Sequence, residues 1–274
     1  MKKLILFLLI IGCASVYAQR KPKIKGNKSV IEVSEELPDF NRIELKDDLE
    51  IFLKKSIDPG YSITADDNLI DVLKFEVVDS TLFISSFYQI TGKKALGITI
   101  HFTELVEVVL HDGHIFSNDL ISSDVFTLHS YGFSRTELQL STSLARIELV
   151  GNSKSTLNID SEQSEMLLKD KAQAEIYSNG HNNALELNDD SLAQFEGTVD
   201  SLQIRMTGTT KLRASKMESN TVEANISEGS NARVRAMEKL ELDSSGTAKL
   251  FLFGDPEIEI RQFLDSSELH KQSE

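Results

Sequence analysis

The sequence predicts an all-β protein, a parallel β-solenoid with coils of about nineteen residues, because its turn-forming residues keep a fixed spacing. They recur at every nineteenth position along the second half of the chain: Gly113, Gly132, Gly151, Asp170, Asp189, Gly208, Ser227 and Gly246. Nineteen residues hold two short strands and two tight turns, whereas two ordinary helices of about 11 residues would need a longer repeat. A stack of short strands is therefore the expected architecture.

Two apolar columns accompany the turn positions. Four residues before each turn position stand Val109, Leu128, Ile147, Met166, Leu185, Ile204, Glu223 and Leu242. Six residues after it stand Leu138, Leu157, Ile176, Phe195, Ala214 and Leu252, with interruptions at Asp119 and Arg233. We expect both columns to fill the interior of the stack, since each coil buries its apolar residues against the next. Around Glu223 the apolar residues shift by one position, which predicts a one-residue β-bulge.

The region before the repeats, residues 31–102, follows a different plan. Segments 41–45, 49–53 and 61–65 alternate apolar and polar residues at the period of a strand, and segments 81–84 and 96–102 resume this character. Segment 69–75 is compatible with one helical turn or a loop. We expect residues 31–102 to form a strand cap, residues 103–262 to form the coils and a closing strand, and residues 263–274 to be a frayed polar tail.

The N-terminus has the features of an export signal. Two lysines precede an apolar run over residues 4–11, and Val16-Tyr17-Ala18 offers small residues at a cleavage site. The run is too short to span a bilayer as a helix. Residues 1–18 are therefore predicted to be a signal peptide. Cys13 leaves an alternative open, because Ile10-Ile11-Gly12-Cys13 resembles a lipobox whose cysteine is acylated.

Charge separates the next segment from the rest of the chain. Residues 19–30 form a basic linker that we expect to act as a flexible tether, with membrane head groups as its alternative contact. Counted from Ser29, 43 acids face 22 bases, which gives a net charge of -21. That field repels nucleic acid and anionic lipid, so nucleic-acid binding is disfavoured.

Several segments carry a resemblance to a known family. Residues 40–45, 49–53, 63–69, 82–84 and 254–258 resemble the head-GIN domain family, described as auto-transporter adhesin heads and otherwise of unknown function. The similarity covers residues 31–262. It implies a right-handed β-helix-like fold in an exported, envelope-associated protein, and it brings no catalytic or ligand residues.

Two groups of residues are candidates for a metal or catalytic site. His111, Asp112, His114 and His129 could approach one another across adjacent coils, but zinc needs three or four converging ligands. We expect these histidines to decorate a turn and its flanking strand.

Asp170, Asp189 and Asp190 form the second group. Paired carboxylates suit glycoside hydrolysis or calcium binding, and aspartate is also a good residue for turns with left-handed backbone. We expect turn geometry to explain them. The chain has no tryptophan as a sugar platform, and Phe126, Tyr131 and Phe133 of one coil are expected to stack in the core.

The sequence contains no nucleophile triad, phosphate loop or dinucleotide fingerprint. We therefore assign no catalytic, cofactor-binding or metal-binding residue and no cofactor. The prediction is an exported, non-enzymatic interaction module of the periplasm or outer-membrane surface, with a protein or glycan partner. Two alternatives stay open: a polysaccharide-active β-helix enzyme, and a periplasmic envelope-signalling protein whose last coil pairs with a partner strand.

Overall fold

A computed structural model describes residues 21–273, so the predicted signal peptide and Cys13 lie outside the described residues. The part before the repeats contains β1 Lys23–Lys25, β2 Val30–Glu36, β3 Arg42–Leu45, β4 Glu50–Lys55, β5 Gly60–Asp66, α1 Asp67–Ile70, β6 Leu73–Val78, β7 Thr81–Ser86, β8 Gln89–Gly92 and β9 Leu96–Phe102. The repeats contain β10 Glu107–Leu110, β11 His114–Ser130, β12 Arg135–Leu149, β13 Lys154–Leu168, β14 Gln173–Leu187, β15 Leu192–Met206, β16 Lys211–Ile226, β17 Asn231–Ser244, β18 Lys249–Phe253, β19 Glu257–Phe263 and β20 Glu268–Lys271.

The strands stack in parallel as a β-solenoid of about 9 turns with coils of about 19 residues, which confirms the predicted fold class. Leu138 lies opposite Leu157, which lies opposite Ile176 in the next coil. Because neighbouring coils share one register, like positions form columns along the whole stack. The interior is a single apolar core that runs from Phe40 to Leu252.

Each long strand turns a corner near its middle. β12 buries its even-numbered residues up to Thr142 and its odd-numbered residues from Ala145 onward. Pairing with both neighbouring coils skips Ser143, which lies at this corner. Each coil therefore presents two outer surfaces. We call the outward side chains before the corner the first face and those after it the second face.

The turn column has left-handed backbone. Positive φ occurs at Gly113, Gly132, Gly151, Asp170, Asp189, Gly208 and Gly246, as the nineteen-residue spacing predicts. At Gly208 a side chain is also sterically excluded, because a Cβ would lie 2.4 Å from the carbonyl oxygen of Asp189 in the preceding coil. The exception is Ser227, since Glu228 takes the positive φ instead.

A bulge in β16 explains that shift. The register between β15 and β16 breaks between Gln194 and Glu196, after which Val222 lies opposite Leu202. The next coil restores the spacing, with Leu240 opposite Val222. As a result Glu223 points outward while its two neighbours are buried. The predicted bulge is confirmed, and it lies several residues before Glu223.

The second apolar column is buried throughout, and the first is buried except at two positions. One of them is Glu223. The other is Val109, which was predicted to be a core residue and is only partly buried. β10 pairs with β11 so that Val108 lies opposite Leu128, and Val108 therefore fills the core position.

The coils of the N-terminal part do not follow chain order. β3 lies between β7 and β10, and β4 lies between β9 and β11, all in parallel. Strands β3 and β4 thus form one coil, and the chain then runs through β5 and β6 outside the parallel stack. Strands β7 and β9 form the coil on one side of β3 and β4, and β10 and β11 form the coil on the other side. The antiparallel strands β2, β5 and β6 line this end. The parallel stack accordingly includes strands that precede residue 103.

Residues 21–30 and 263–273 contain more strand structure than the sequence indicates. Within the predicted tether, β1 pairs in parallel with β8. The Asn68 side chain donates a hydrogen bond to the carbonyl of Lys25 at 2.9 Å. Within the predicted frayed tail, β20 pairs with β18, and Lys249 Nζ lies 2.7 Å from Glu268 Oε1. Backbone pairing with the last coil therefore extends the strand structure into the tail.

Candidate binding faces

The histidines of the candidate metal cluster each pair with a different acid. The ring nitrogen of His111 lies 3.0 Å from Glu44 Oε1, and that of His129 lies 2.8 Å from Glu148 Oε2. His114 lies 3.4 Å from Glu137 Oε1. Within residues 21–273, no group of three or more potential ligands is placed to hold a metal ion. Each of these three histidines thus has an acid as its partner, and His111 and His129 both stack on the Tyr131 ring.

Asp112, the fourth member of that group, serves the backbone. Its Oδ1 accepts a hydrogen bond from the N–H of Phe133 at 3.0 Å. Phe133 itself is 75% exposed beside the turn at Gly132, so its predicted place in the core is wrong. Phe126 is fully buried, as expected, and Tyr131 is partly buried.

The aspartates of the turn column connect one coil to the next. Asp170 Oδ2 accepts a hydrogen bond from the N–H of Gly151 at 3.1 Å, and Asp189 Oδ2 accepts one from the N–H of Asp170 at 3.2 Å. Asp190 accepts a hydrogen bond from the Thr209 hydroxyl at 3.2 Å. Each carboxylate thus accepts a hydrogen bond at the turns, and left-handed backbone also explains the choice of aspartate at Asp170 and Asp189.

A shallow groove of about 850 Å³ runs across the second face. Its side chains form ion pairs between neighbouring coils, such as Arg146 Nε to Glu165 Oε2 at 3.2 Å. Glu148, which pairs with His129, also accepts a hydrogen bond from the Tyr131 hydroxyl at 3.1 Å. Burial and this hydrogen bond raise the pKa of Tyr131. Two acids of the groove therefore already have partners.

A smaller groove of about 420 Å³ lies on the first face. Amides and one phenol line much of it: Asn118, Gln139, Asn158, Gln194 and Tyr177. Tyr177 is 49% exposed. These groups donate and accept hydrogen bonds in the way that hydroxyl-rich ligands require. Glu137 and Glu175 add acceptors to the same lining.

Sequence reasoning missed both grooves, although a signal for the ion pairs was present. Arg146 and Glu165 are nineteen residues apart, as are His129 and Glu148. Residues of opposite charge at the coil spacing can be recognised as pairs once the register is known.

Acidic residues are spread over all outer surfaces of the stack. They occupy the second face, the first face and the corners, where Asp200 Oδ2 lies 2.7 Å from His181.

Solved structures share this architecture. A putative adhesin from Parabacteroides distasonis ATCC 8503 matches with a TM-score of 0.69 and 13% identity, over 90% of this chain and 99% of that chain. A putative adhesin from Parabacteroides merdae ATCC 43184 matches with 0.68 and 14%, over 92% and 100%. A putative lipid binding protein from P. distasonis ATCC 8503 matches with 0.61 and 21%, also over 92% and 100%. At these identities the likeness shows the fold alone.

Two further findings bear on the class of protein. In the described part of the chain, no helix has the length and apolar character needed to cross a membrane. No functionally curated protein matches the sequence. A family model described as "Putative auto-transporter adhesin, head GIN domain" matches residues 39–256, which is well over half of the sequence. The chain therefore belongs to the head GIN domain family.

Proposed function

We propose that this protein is an exported, non-enzymatic interaction module of the cell envelope that binds its partner on the outer faces of the solenoid. One observation carries the proposal: an unbroken stack of about 9 coils holds two outer faces rich in polar side chains. A stack of this kind presents an extended surface in fixed register. Membership in a family described as adhesin heads supports an adhesin-like role.

The partners of two acids in the second-face groove favour binding over hydrolysis. Glycoside hydrolysis requires two carboxyl groups that flank the scissile bond, one to protonate the leaving group and one to act as base or nucleophile. In the second-face groove, Glu165 is held by Arg146, and Glu148 is held by His129 and Tyr131. Carboxylates with these partners are not poised as a free acid and base pair.

Retention and turnover can be measured in the same experiment. Purified chain from residue 19 onward is passed over immobilised polysaccharides, and reducing ends are counted in the eluate. We expect retention on at least one polysaccharide without release of reducing ends. Release that is abolished by Glu165→Gln, with the fold intact, would establish the enzymatic alternative. Asn182→Asp, an exposed change at the corner, is the control variant.

Export has its own test at the N-terminus. Cleavage after Ala18 would leave Gln19 as the first residue, whereas lipoprotein processing would leave an acylated Cys13. Intact-mass measurement of the protein from its native host separates these outcomes, because an acyl-modified cysteine adds a large mass. We expect a chain that begins at Gln19. A chain that retains Met1 would contradict export.

A further inference from the structure

Several cations of the first face have no acidic partner. Within residues 21–273, Lys211, Arg213 and Arg233 make no ion pair, and neither do Arg135 and Lys154 of the same face. We call the first three the C-terminal cluster and the other two the N-terminal cluster. Both stand on a chain whose net charge is -14.

Register places like charges directly opposite each other in both clusters. Arg213 lies opposite Arg233, and Arg135 lies opposite Lys154. Like charges in directly opposite positions destabilise a sheet. Several other ladder positions join opposite charges: Arg42 with Glu107, His129 with Glu148, Arg146 with Glu165, Lys216 with Glu196, and Lys249 with Glu268. The two clusters therefore lack a counter-charge that an external anion would supply.

Aromatic rings support the C-terminal cluster. The Arg233 guanidinium lies over the Phe251 ring, 5.6 Å from its centroid, and His270 stacks on the same ring at 4.9 Å. In the neighbouring column Arg235 lies 6.0 Å from the Phe253 centroid. A cation–π contact holds a guanidinium without using its N–H donors. Arg233 thus keeps donors for a carboxylate or a sulfate, which arginine binds in a bidentate manner.

The amide-lined groove of the first face runs beside the N-terminal cluster and ends one coil before the C-terminal cluster. Lys154 and Lys211 belong to one column and are three coils apart, which is about 14 Å at the usual strand spacing. Gln194 directly precedes Arg213 in its column, and Glu175 lies one coil further. Tyr177 lies opposite Glu196 in the neighbouring outward column. A ligand that reaches both clusters is therefore extended, anionic at intervals, and rich in hydrogen-bonding groups between its charges.

From this arrangement we infer that the first face binds an extended acidic glycan, with its carboxylate or sulfate groups on the two clusters. Its hydroxyl groups lie along the amides and Tyr177. The inference rests on the proposed interaction role and names the ligand class for it. A membrane surface fits less well, because a planar anionic bilayer would also meet Glu137, Glu175 and Glu196 of the same face. A narrow polymer contacts these acids through hydroxyl groups.

The test compares polymers by charge and length. Binding of purified chain to polygalacturonate is measured by calorimetry, with neutral dextran, a short galacturonate oligomer and inorganic phosphate as probes. We expect binding to polygalacturonate alone among the polymers, weakened by salt, and a weaker interaction with the oligomer because it reaches one cluster. Equal binding of dextran would overturn the inference and leave the proposed interaction role standing.

Variants assign the binding to the clusters. Arg213→Gln combined with Arg233→Gln should weaken polygalacturonate binding about tenfold or more, and Arg135→Gln with Lys154→Gln should add to the loss. The melting temperature should change little, since relief of the like-charge contacts offsets loss of the contact between Arg233 and Phe251. Lys171→Gln, at an exposed turn position outside both grooves, is the matched control and should bind normally. Unchanged affinity in the combined variant would overturn the inference.

Binding to lipid vesicles tests whether the ligand of the first face is a glycan or a lipid head group. Anionic vesicles of phosphatidylglycerol and phosphatidylcholine are offered to the same proteins. We expect no binding that depends on Arg213 and Arg233. Vesicle binding that these arginines control, without polygalacturonate binding, would overturn the glycan assignment in favour of lipid head groups. Competition by inorganic phosphate at low concentration would likewise show a small-anion site instead of a polymer site.

Discussion

At the scale of single residues, backbone conformation explains why aspartates stand in a column of glycines. Asp170 and Asp189 have φ of 60° and 65°, a region that costs most side chains about 1–2 kcal/mol but that aspartate tolerates. Their carboxylates also accept hydrogen bonds from the turn of the preceding coil. The side chain therefore offsets the strain that glycine avoids.

Asp189 gives a direct test of this explanation. Asp189→Gly should change the free energy of unfolding by less than about 1 kcal/mol, because relief of backbone strain compensates for the lost hydrogen bond. Asp189→Ala loses the bond and keeps the strain, so it should cost about 2–3 kcal/mol. Urea denaturation with and without calcium measures both. A large calcium-dependent loss in Asp189→Gly would show that these aspartates form a calcium site.

At the scale of elements, the N-terminal end depends on one buried carboxylate. Asp66 is fully buried at the end of β5 and accepts hydrogen bonds from the N–H groups of Lys94 and Ala95, at 3.0 and 3.3 Å. The hydrogen bond from Lys94 is the main cause of its lowered pKa. This carboxylate therefore joins β5 to the segment before β9.

Acid should loosen this junction. Because the pKa of Asp66 is lower in the folded protein, its ionised form stabilises the fold above the unfolded pKa, near 4, and this stabilisation is lost as the pH falls through the folded pKa. Hydrogen exchange of residues 60–66 and 94–102 should therefore accelerate more below pH 4 than exchange of the central coils. Asp66→Asn should remove that difference, and Asp71→Asn, an exposed change, should not. Equal acid sensitivity in all three proteins would contradict the account.

The same scale shows what the sequence could predict. The coils from Gly113 onward follow from spacing, because a fixed register repeats the same residue types at fixed intervals. The order of β7, β3 and β10 does not follow, since these strands pair without any periodic spacing. Val109 was misplaced for a related reason: one extra residue between β10 and β11 changes which valine faces inward. The faces were missed because outward residue types change from coil to coil, and opposite charges nineteen residues apart become recognisable as pairs only once the register is known.

At the scale of the whole molecule, stability belongs to the stack and not to a single coil. Each coil buries few residues, and its apolar side chains contact mainly those of the coils above and below. A destabilising substitution in the central apolar column should therefore also unfold the neighbouring coils. Leu185 is 3% exposed near the middle of this column.

Leu185→Asp tests this cooperativity. A buried, unpaired charge should cost more than about 4 kcal/mol and unfold the stack in one transition, whereas Leu185→Ala should cost about 2–5 kcal/mol. Asn182→Asp places a carboxylate on an exposed position of the same strand and should leave the melting temperature nearly unchanged. Thermal unfolding followed by circular dichroism measures all three. An unchanged melting temperature in Leu185→Asp would refute the register.

The last coil keeps the envelope-signalling alternative open. In the described chain β19 pairs with β17 along one edge, no strand pairs with its other edge, and Ile260 is 49% exposed there. Pairing of this edge with a partner strand stays a prediction.

The central claim is that the solenoid works outside the cytoplasm as an interaction module, and labelling of cells tests it most directly. Cells that carry an epitope tag after Glu274 are stained intact, after permeabilisation of the outer membrane, and after complete lysis. The account predicts label in intact cells, for a surface adhesin, or after permeabilisation, for a periplasmic module. Label that appears only after lysis, on a chain that retains residues 1–18, would contradict it.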